Sequence, residues 1–149
     1  MKGRDASGRS REATGGACPA RAPVRCLLVD DEVPFTEVLA KRLARRGFSV
    51  ETAMSGEKAI RVLRKKEFDI AVLDLKLTDM DGIEILKIFK KMVPELPVIM
   101  LTGHGCEIAA QEGLRFGASA YLTKPCEVAD LIDAIMSVVR TGEKDHEAH

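Results

Sequence analysis

Five short apolar runs alternate with five amphipathic segments along the chain, and this alternation constrains the fold more than any other feature. The runs predict strands at residues 25–30, 49–53, 68–74, 97–101 and 118–122. Strands that alternate with helices usually pair in parallel, because the chain needs a crossover to return to the same end of the sheet. We therefore predict an α/β domain with a five-stranded parallel sheet and five helices on both faces.

The helical segments carry apolar residues at helical spacing. The predicted inward positions are Phe35, Val38, Leu39 and Leu43 in the first helix, Ala59, Ile60 and Leu63 in the second, Ile85, Leu86, Phe89 and Met92 in the third, and Val128, Leu131, Ile132, Ile135 and Val139 in the last. Ser55 is expected to cap the second helix, and Asp81 with Glu84 the third. The fourth helix, residues 105–116, has a thin apolar face interrupted by Gly113, so we expect it to pack weakly.

The 149 residues accommodate one folded domain, predicted at residues 24–140. Residues 1–23 are rich in Arg, Gly, Ser, Ala and Pro without apolar periodicity, which indicates a disordered basic tail. We favour a solvated tail, or a stretch translated from an upstream start codon, over a basic arm that contacts phosphate. Residues 141–149 are predicted to form a disordered C-terminal tail.

Composition excludes several classes of protein. The formal net charge is zero, so nothing indicates a general attraction to nucleic acid or anionic membrane. The four cysteines form no CxxC pair and have no histidine at ligand spacing, which argues against a zinc site or a secreted disulfide framework. No secretory signal and no apolar run of 18 residues is present, so we expect a cytoplasmic protein with reduced thiols and no membrane insertion.

Polar residues follow four of the predicted strands at the point where each strand ends. Taken singly, each has an ordinary structural explanation, as a helix cap, a turn hydroxyl or a surface charge. Because the carboxyl ends of parallel strands meet at one edge of the sheet, where ligands bind in open α/β folds, we expect the whole set to converge on a functional site. The set consists of Asp30, Asp31, Asp74, Thr102 and Lys124.

The chemistry of this set is specific. Two carboxylates about 4 Å apart repel by about 4 kcal/mol at an effective dielectric near 20, so three close together need a cation. Lys124 supplies one positive charge, and oxygen ligands without thiolate or imidazole favour Mg²⁺ as a second. A carboxylate beside Mg²⁺ and an ammonium group is suited to attack phosphorus, so Asp74 is a candidate nucleophile.

From Val24 to about Arg140 the sequence resembles the receiver domain of bacterial two-component response regulators. The motifs LLVDDE, IAVLDLKLTDMDG, VIMLTGHG and AYLTKP occur in order and at the spacing of that family. The resemblance implies a flavodoxin-like sheet with strand order 2-1-3-4-5. It also implies a signalling phosphoacceptor that promotes its own aspartyl phosphorylation and dephosphorylation, and not a conventional enzyme.

The resemblance assigns roles to individual residues. Asp74 is implied to accept a phosphoryl group from a sensor histidine kinase or a phosphotransfer protein, with Mg²⁺ held by Asp30, Asp31, Asp74 and the main-chain carbonyl of Lys76. Thr102 and Lys124 are implied to bind the phosphoryl oxygens, and Tyr121 to turn inward as Thr102 moves, which is a two-state switch. The Lys124-Pro125 bond is expected to be cis. The side chains of Lys76 and His104 are candidates for tuning hydrolysis.

Three rival classes fit less well. An aspartate-nucleophile phosphatase would carry a second Asp at position 76, where this chain has Lys. A flavin or dinucleotide binder would need a glycine-rich turn after the first strand, and the chain reads DDEVP. A receiver reduced to an interaction module would be expected to lose an acid or the lysine, and all are present.

The expected output surface is the fourth helix, the fifth strand and the fifth helix. No output domain follows Arg140 in the sequence, so we expect a stand-alone receiver that does not bind DNA directly and acts on an unknown downstream protein target. Protein contact and onward phosphotransfer both remain open as the form of output.

Overall fold

The structure is a computed structural model that describes residues 23–103 and 105–147, with side chains described as far as residue 140. Over these ranges the backbone forms five strands and five helices that alternate from the first strand to the last helix. The strands are β1 (Arg25–Val29), β2 (Ser49–Ala53), β3 (Ile70–Asp74), β4 (Val98–Thr102) and β5 (Ala120–Thr123). The predicted tail at residues 1–23 lies almost wholly outside the described residues.

The strands pair in parallel in the order β2-β1-β3-β4-β5, which confirms the predicted sheet. In register, Val29 of β1 pairs with Leu73 of β3, and Asp74 of β3 pairs with Leu101 of β4. β2 lies at an edge, as its mixture of polar and apolar residues predicts. β3 and β4 are buried along their whole length because helices cover both faces of the sheet.

The helices are α1 (Val33–Arg45), α2 (Gly56–Lys65), α3 (Gly82–Met92), α4 (Glu107–Arg115) and α5 (Val128–Glu147). Ser55 caps α2 by accepting a hydrogen bond from Lys58 N, and Asp81 caps α3 by accepting one from Ile83 N. These contacts confirm Ser55 and Asp81 as caps, whereas Glu84, predicted to act with Asp81, lies 3.6 Å from Lys87. No described helix has the length and apolar character that a membrane crossing requires.

Two hydrophobic clusters, one on each face of the sheet, form the core. The first contains Phe89 of α3 with Leu73 and Met100 from the sheet. The second contains Leu39 of α1 and Ile135 of α5 with Val72 from the sheet. Burying one such side chain contributes about 1.5–3 kcal/mol, and together they hold the strand ends in a fixed geometry.

α4 has only a narrow contact with this core. Its buried residues are Ala110 and Gly113, whereas Ile108 is 86% exposed. A Cβ atom on Gly113 would collide with the sulfur of Met100, so glycine here lets the helix lie close to β4. The prediction of a thin apolar face is confirmed, and Gly113 has a packing role as well as a low helix propensity.

Two details differ from the sequence prediction. Val38 was predicted to face inward and is 45% exposed, because the inward face of α1 is occupied by Thr36, Leu39 and Leu43. α5 continues to Glu147, whereas the sequence predicts a tail from residue 141. Residues 141–147 add Glu and Lys, which are good helix formers and compatible with continuation of α5.

Candidate functional site

The carboxyl ends of β1, β3, β4 and β5 meet at one edge of the sheet and present polar side chains there. Asp30 directly follows β1, and Asp74 and Thr102 are the last residues of β3 and β4. Lys124 directly follows β5, and its peptide bond to Pro125 is cis, as expected. Asp30, Asp74 and Thr102 are almost completely buried, so their positions depend on the packed core.

Three carboxylates form the centre of this edge. Asp30, Asp31 and Asp74 each offer an oxygen, and these oxygens lie within 4.8 Å of one another. Asp74 Oδ1 accepts a hydrogen bond of 3.0 Å from Lys76 N. Asp30 Oδ1 accepts one of 2.9 Å from Glu32 N. The main chain therefore fixes one oxygen of each buried aspartate.

Lys124 reaches the three carboxylates from the end of the edge strand β5. Its Nζ lies 2.9 Å from Asp30 Oδ2 and 3.5 Å from Asp74 Oδ2. Burial lowers the pKa of Lys124, but its hydrogen bonds to Glu32 and Asp30 outweigh burial, so the pKa is raised above the ordinary value. The lysine therefore remains a cation and neutralises part of the acidic charge.

The pKa of Asp30 is also shifted, and it lies above its ordinary value. Burial raises its pKa, and the charge of Asp74 raises it further, while the Glu32 N–H and Lys124 lower it. Three carboxylates with one lysine leave an excess of negative charge in a partly buried space. Such a donor set of carboxylate oxygens fits a hard divalent cation such as Mg²⁺.

Thr102 and Tyr121 lie on neighbouring strands beside the acidic centre. Thr102 is 2% exposed, and its hydroxyl donates to the carbonyl of Leu122 in β5 at 3.4 Å. Tyr121 is half-buried and packs against the first hydrophobic cluster. The hydroxyl of Thr102 therefore points to β5 in this state.

A cleft of about 510 Å³ opens onto these groups, and Asp74, Lys124, Lys76 and Gly103 contribute to its lining. Lys76 extends across the mouth of this cleft, since a Cβ atom built on Gly103 would lie 2.5 Å from Lys76 Nζ. Predicted residue His104 lies outside the described residues. The structure thus brings Asp30, Asp31, Asp74 and Lys124 together and places Lys76 at the entrance.

Two residues that the sequence analysis did not assign to the site also contact Lys124. Glu32 Oε1 contacts its amino group, and the ring centroid of Phe35 lies 4.9 Å from Nζ. Glu32 directly follows the aspartate pair, and Phe35 lies in the first turn of α1, so both are close to the site in sequence. The one sequence signal for Glu32 was that it is the third acid in the run that begins at Asp30. The contact with Lys124 joins residues 92 positions apart, so local sequence patterns do not reveal it.

A larger cavity of about 930 Å³ lies at the amino-terminal ends of the strands, where β1 begins and where Phe68 and Asp69 precede β3. Its basic groups are partly committed to ion pairs, with Arg25 3.3 Å from Asp69 and Lys66 2.8 Å from Glu51. Few of its groups converge on one point. The smaller cleft is therefore the better candidate, because its charges converge on a buried carboxylate.

Comparisons with known proteins show the family of this chain. The chain matches the response regulator receiver domain family over residues 26–136. It is 37% identical over 131 residues to the transcriptional regulatory protein GlrR of Escherichia coli, covering 85% of this chain, and 33% identical over 111 residues to the photosynthetic apparatus regulatory protein RegA of Cereibacter sphaeroides, covering 74%.

Solved structures give the same result. A CheY-like receiver domain protein from Methanospirillum hungatei superimposes with a TM-score of 0.79 at 31% identity, covering 83% of this chain and 98% of that one. NtrX from Brucella abortus gives a TM-score of 0.80 at 30% identity, covering 85% of this chain and 29% of that one. This chain spans 30% of the length of GlrR and 60% of that of RegA. The fold, the acidic centre and the match over most of the chain place this protein in the family of two-component response regulator receiver domains.

Proposed function

We propose that this chain is a phosphoacceptor in a two-component or phosphorelay pathway and that Asp74 takes a phosphoryl group from a phosphohistidine. The observation that carries the proposal is the position of Asp74, whose side chain is 6% exposed and lies 3.5 Å from Lys124. A carboxylate oxygen of Asp74 attacks phosphorus, the phosphorus–nitrogen bond of the donor breaks, and the imidazole leaves with a proton. The product is an acyl phosphate on Asp74.

The charges around Asp74 support this chemistry. Asp30, Asp31, Asp74 and the main-chain carbonyl of Lys76 are the groups we assign to Mg²⁺, and the ion when bound would neutralise charge on the phosphoryl oxygens. Lys124 and Thr102 are assigned to the same oxygens, because Lys124 Nζ lies 3.5 Å from Asp74 Oδ2 and Thr102 ends the strand that pairs with β3. Tyr121 would then follow Thr102, because the two residues lie on paired strands.

The surface formed by α4, β5 and α5 is proposed to carry the output. α4 supports this because its packing is thin and three apolar side chains on or next to it are well exposed, at 86% for Ile108, 38% for Leu114 and 39% for Phe116. Elements that move in switching usually come from the less stable part of a fold. A downstream protein would bind this surface differently before and after phosphorylation.

We place the reaction in the cytoplasm, with a sensor histidine kinase or a phosphotransfer protein as donor and a protein as target. The three cysteines within the described residues, Cys26, Cys106 and Cys126, are free, which suits a reducing compartment. We propose that the output of this receiver is protein contact or onward phosphotransfer.

The test is incubation with acetyl phosphate and Mg²⁺, followed by intact mass. Wild type should gain about 80 Da, the mass of one phosphoryl group. Asp74→Asn should gain nothing. The control Asp69→Asn changes a carboxylate at the amino-terminal end of the same strand and should gain as much as wild type. An adduct of unchanged size and yield in Asp74→Asn would refute the assignment.

A further inference from the structure

The amino group of Lys124 has a complete set of acidic partners in this state. An ammonium group has three N–H donors and no acceptor. Three carboxylates surround it within the described part of the chain, namely those of Asp30, Asp74 and Glu32. A phosphoryl group on Asp74 brings further oxygens that need N–H donors of Lys124, so it competes with Asp30 and Glu32, the two partners that are not themselves modified.

Glu32 is the partner that can leave at the smallest cost. The side chain of Asp30 is 5% exposed, so its carboxylate would lose its partner without gaining water if it were released. The side chain of Glu32 is 59% exposed and can be solvated at once. Its carboxylate also lies outside the cluster formed by Asp30, Asp31 and Asp74.

The backbone places Glu32 beside Lys124, and the Glu32 side chain does not cap the helix. Glu32 is the N-cap of α1, yet its side chain makes no capping hydrogen bond. Its main chain is held at both ends, since its N–H donates to Asp30 and its carbonyl accepts from Thr36 N. The ring of Phe35, one helical turn further on, lies beside the same ammonium group and limits where it can go.

We propose that Glu32 is a positioning residue that holds Lys124 in the unphosphorylated protein and competes with the phosphoryl group for it. The inference rests on the proposed function, because the competitor is a phosphoryl group on Asp74. Glu32 stabilises the resting state and contributes nothing once Lys124 has turned to the phosphoryl oxygens. Its removal therefore makes phosphorylation easier, although it takes a charged group from the site.

The first experiment measures phosphorylation rates with acetyl phosphate at Mg²⁺ concentrations that saturate each variant. In this reaction Asp74 forms a bond to phosphorus, the donor's oxygen–phosphorus bond breaks and acetate leaves. Glu32→Gln should react about two- to fivefold faster than wild type, since an ion pair with one exposed partner is worth at most about that factor. Glu37→Gln removes the same charge from an exposed position on the same helix and should react at the wild-type rate.

A double-mutant cycle with Lys124→Met shows whether the effect passes through the lysine. If Glu32 acts only by holding Lys124, Glu32→Gln should not change the rate in the Lys124→Met background. An equal gain in both backgrounds would mean that Glu32 acts through its charge alone and would overturn the inference. So would a Glu32→Gln rate equal to or below that of wild type.

A second measurement needs no phosphoryl donor. The side-chain ammonium signal of Lys124 in ¹⁵N-correlated NMR spectra should shift and exchange faster with water in Glu32→Gln, and not in Glu37→Gln. An unchanged signal would overturn the inference even if phosphorylation proceeds. A wild-type protein that takes up no phosphoryl group would overturn the proposed function, and with it the competition, whatever the state of the ion pair.

Discussion

The hydroxyl of Thr102 donates to the carbonyl of Leu122 at 3.4 Å, so in this state it is engaged with β5. If Thr102 turns to a phosphoryl oxygen on Asp74, this bond is given up. Thr102→Val keeps the shape but removes the hydroxyl, and we expect about tenfold slower phosphorylation by acetyl phosphate, the value of one hydrogen bond to a charged group. Thr102→Ser is the control and should stay within about threefold of wild type. A wild-type rate in Thr102→Val would contradict a role for the hydroxyl.

Lys76 lies across Gly103 at the mouth of the cleft, where water must approach the acyl phosphate. We predict that the double variant Lys76→Ala, His104→Ala loses its phosphoryl group about tenfold faster, which corresponds to about 1.4 kcal/mol of barrier. Phosphate release in Mg²⁺ measures the rate. Lys41→Ala, at an exposed position on α1, is the control. An equal or slower rate in the double variant would show that these side chains do not shield the site.

The cluster of Asp30, Asp31 and Asp74 predicts a metal dependence that can be read without phosphorylation. Mg²⁺ should raise the thermal unfolding midpoint of wild type, because an ion that binds only the folded protein stabilises it. Asp31→Asn should bind Mg²⁺ at least about tenfold more weakly by calorimetric titration and show a smaller rise. Asp133→Asn, at an exposed position on α5, should behave as wild type. Equal affinity in Asp31→Asn would remove Asp31 from the metal site.

The thin packing of α4 predicts where phosphorylation changes the structure. Amide hydrogen exchange should differ between free and phosphorylated protein over residues 105–123, which include α4 and β5. Exchange in α2, which packs against the other edge strand, β2, should not change and is the internal reference. Changes confined to the loops that hold Asp30 and Asp74 would contradict the proposed output surface.

Asp79 links the loop after β3 to the start of α2, since its carboxylate accepts hydrogen bonds from Gly56 N at 2.9 Å and Glu57 N at 3.1 Å. The bond from Gly56 N is the main reason that the pKa of Asp79 is lowered below its ordinary value of 3.8. A lowered pKa in the folded protein means that the contribution to stability is complete above the unfolded value and is lost as pH falls through the folded value.

We therefore expect Asp79→Ala to lower the free energy of unfolding by about 0.5–1 kcal/mol at pH 7, as for loss of an exposed helix cap. The difference from wild type should shrink below about pH 4. Urea unfolding between pH 7 and pH 3 measures it, with Glu95→Ala as a control carboxylate. A difference that is constant over this range would mean that the charge of Asp79 does not matter.

Local patterns in the sequence were sufficient for most of the fold. Apolar runs and helical spacing predict the strands within about two residues and place every helix, although α5 extends seven residues beyond the predicted domain end, because burial of one face depends on periodicity that neighbouring residues already carry. The caps at Ser55 and Asp81 were predicted for the same reason, since a cap is satisfied within three residues. The prediction that Val38 faces inward was wrong, because helical spacing fixes the width of an apolar face only approximately. Which margin of that face is covered depends on the elements packed against the helix.

The sequence by itself determined that acids, a threonine and a lysine would end four strands of one parallel sheet, and hence that they would share one end of it. Only the tertiary structure decided which oxygen faces which nitrogen. The contact of Glu32 with Lys124 spans 92 positions, and that of Asp79 with Gly56 spans 23. Such contacts depend on the register of the strands and the seating of the helices, because a shift of a few ångströms is enough to break a hydrogen bond while leaving every local pattern intact.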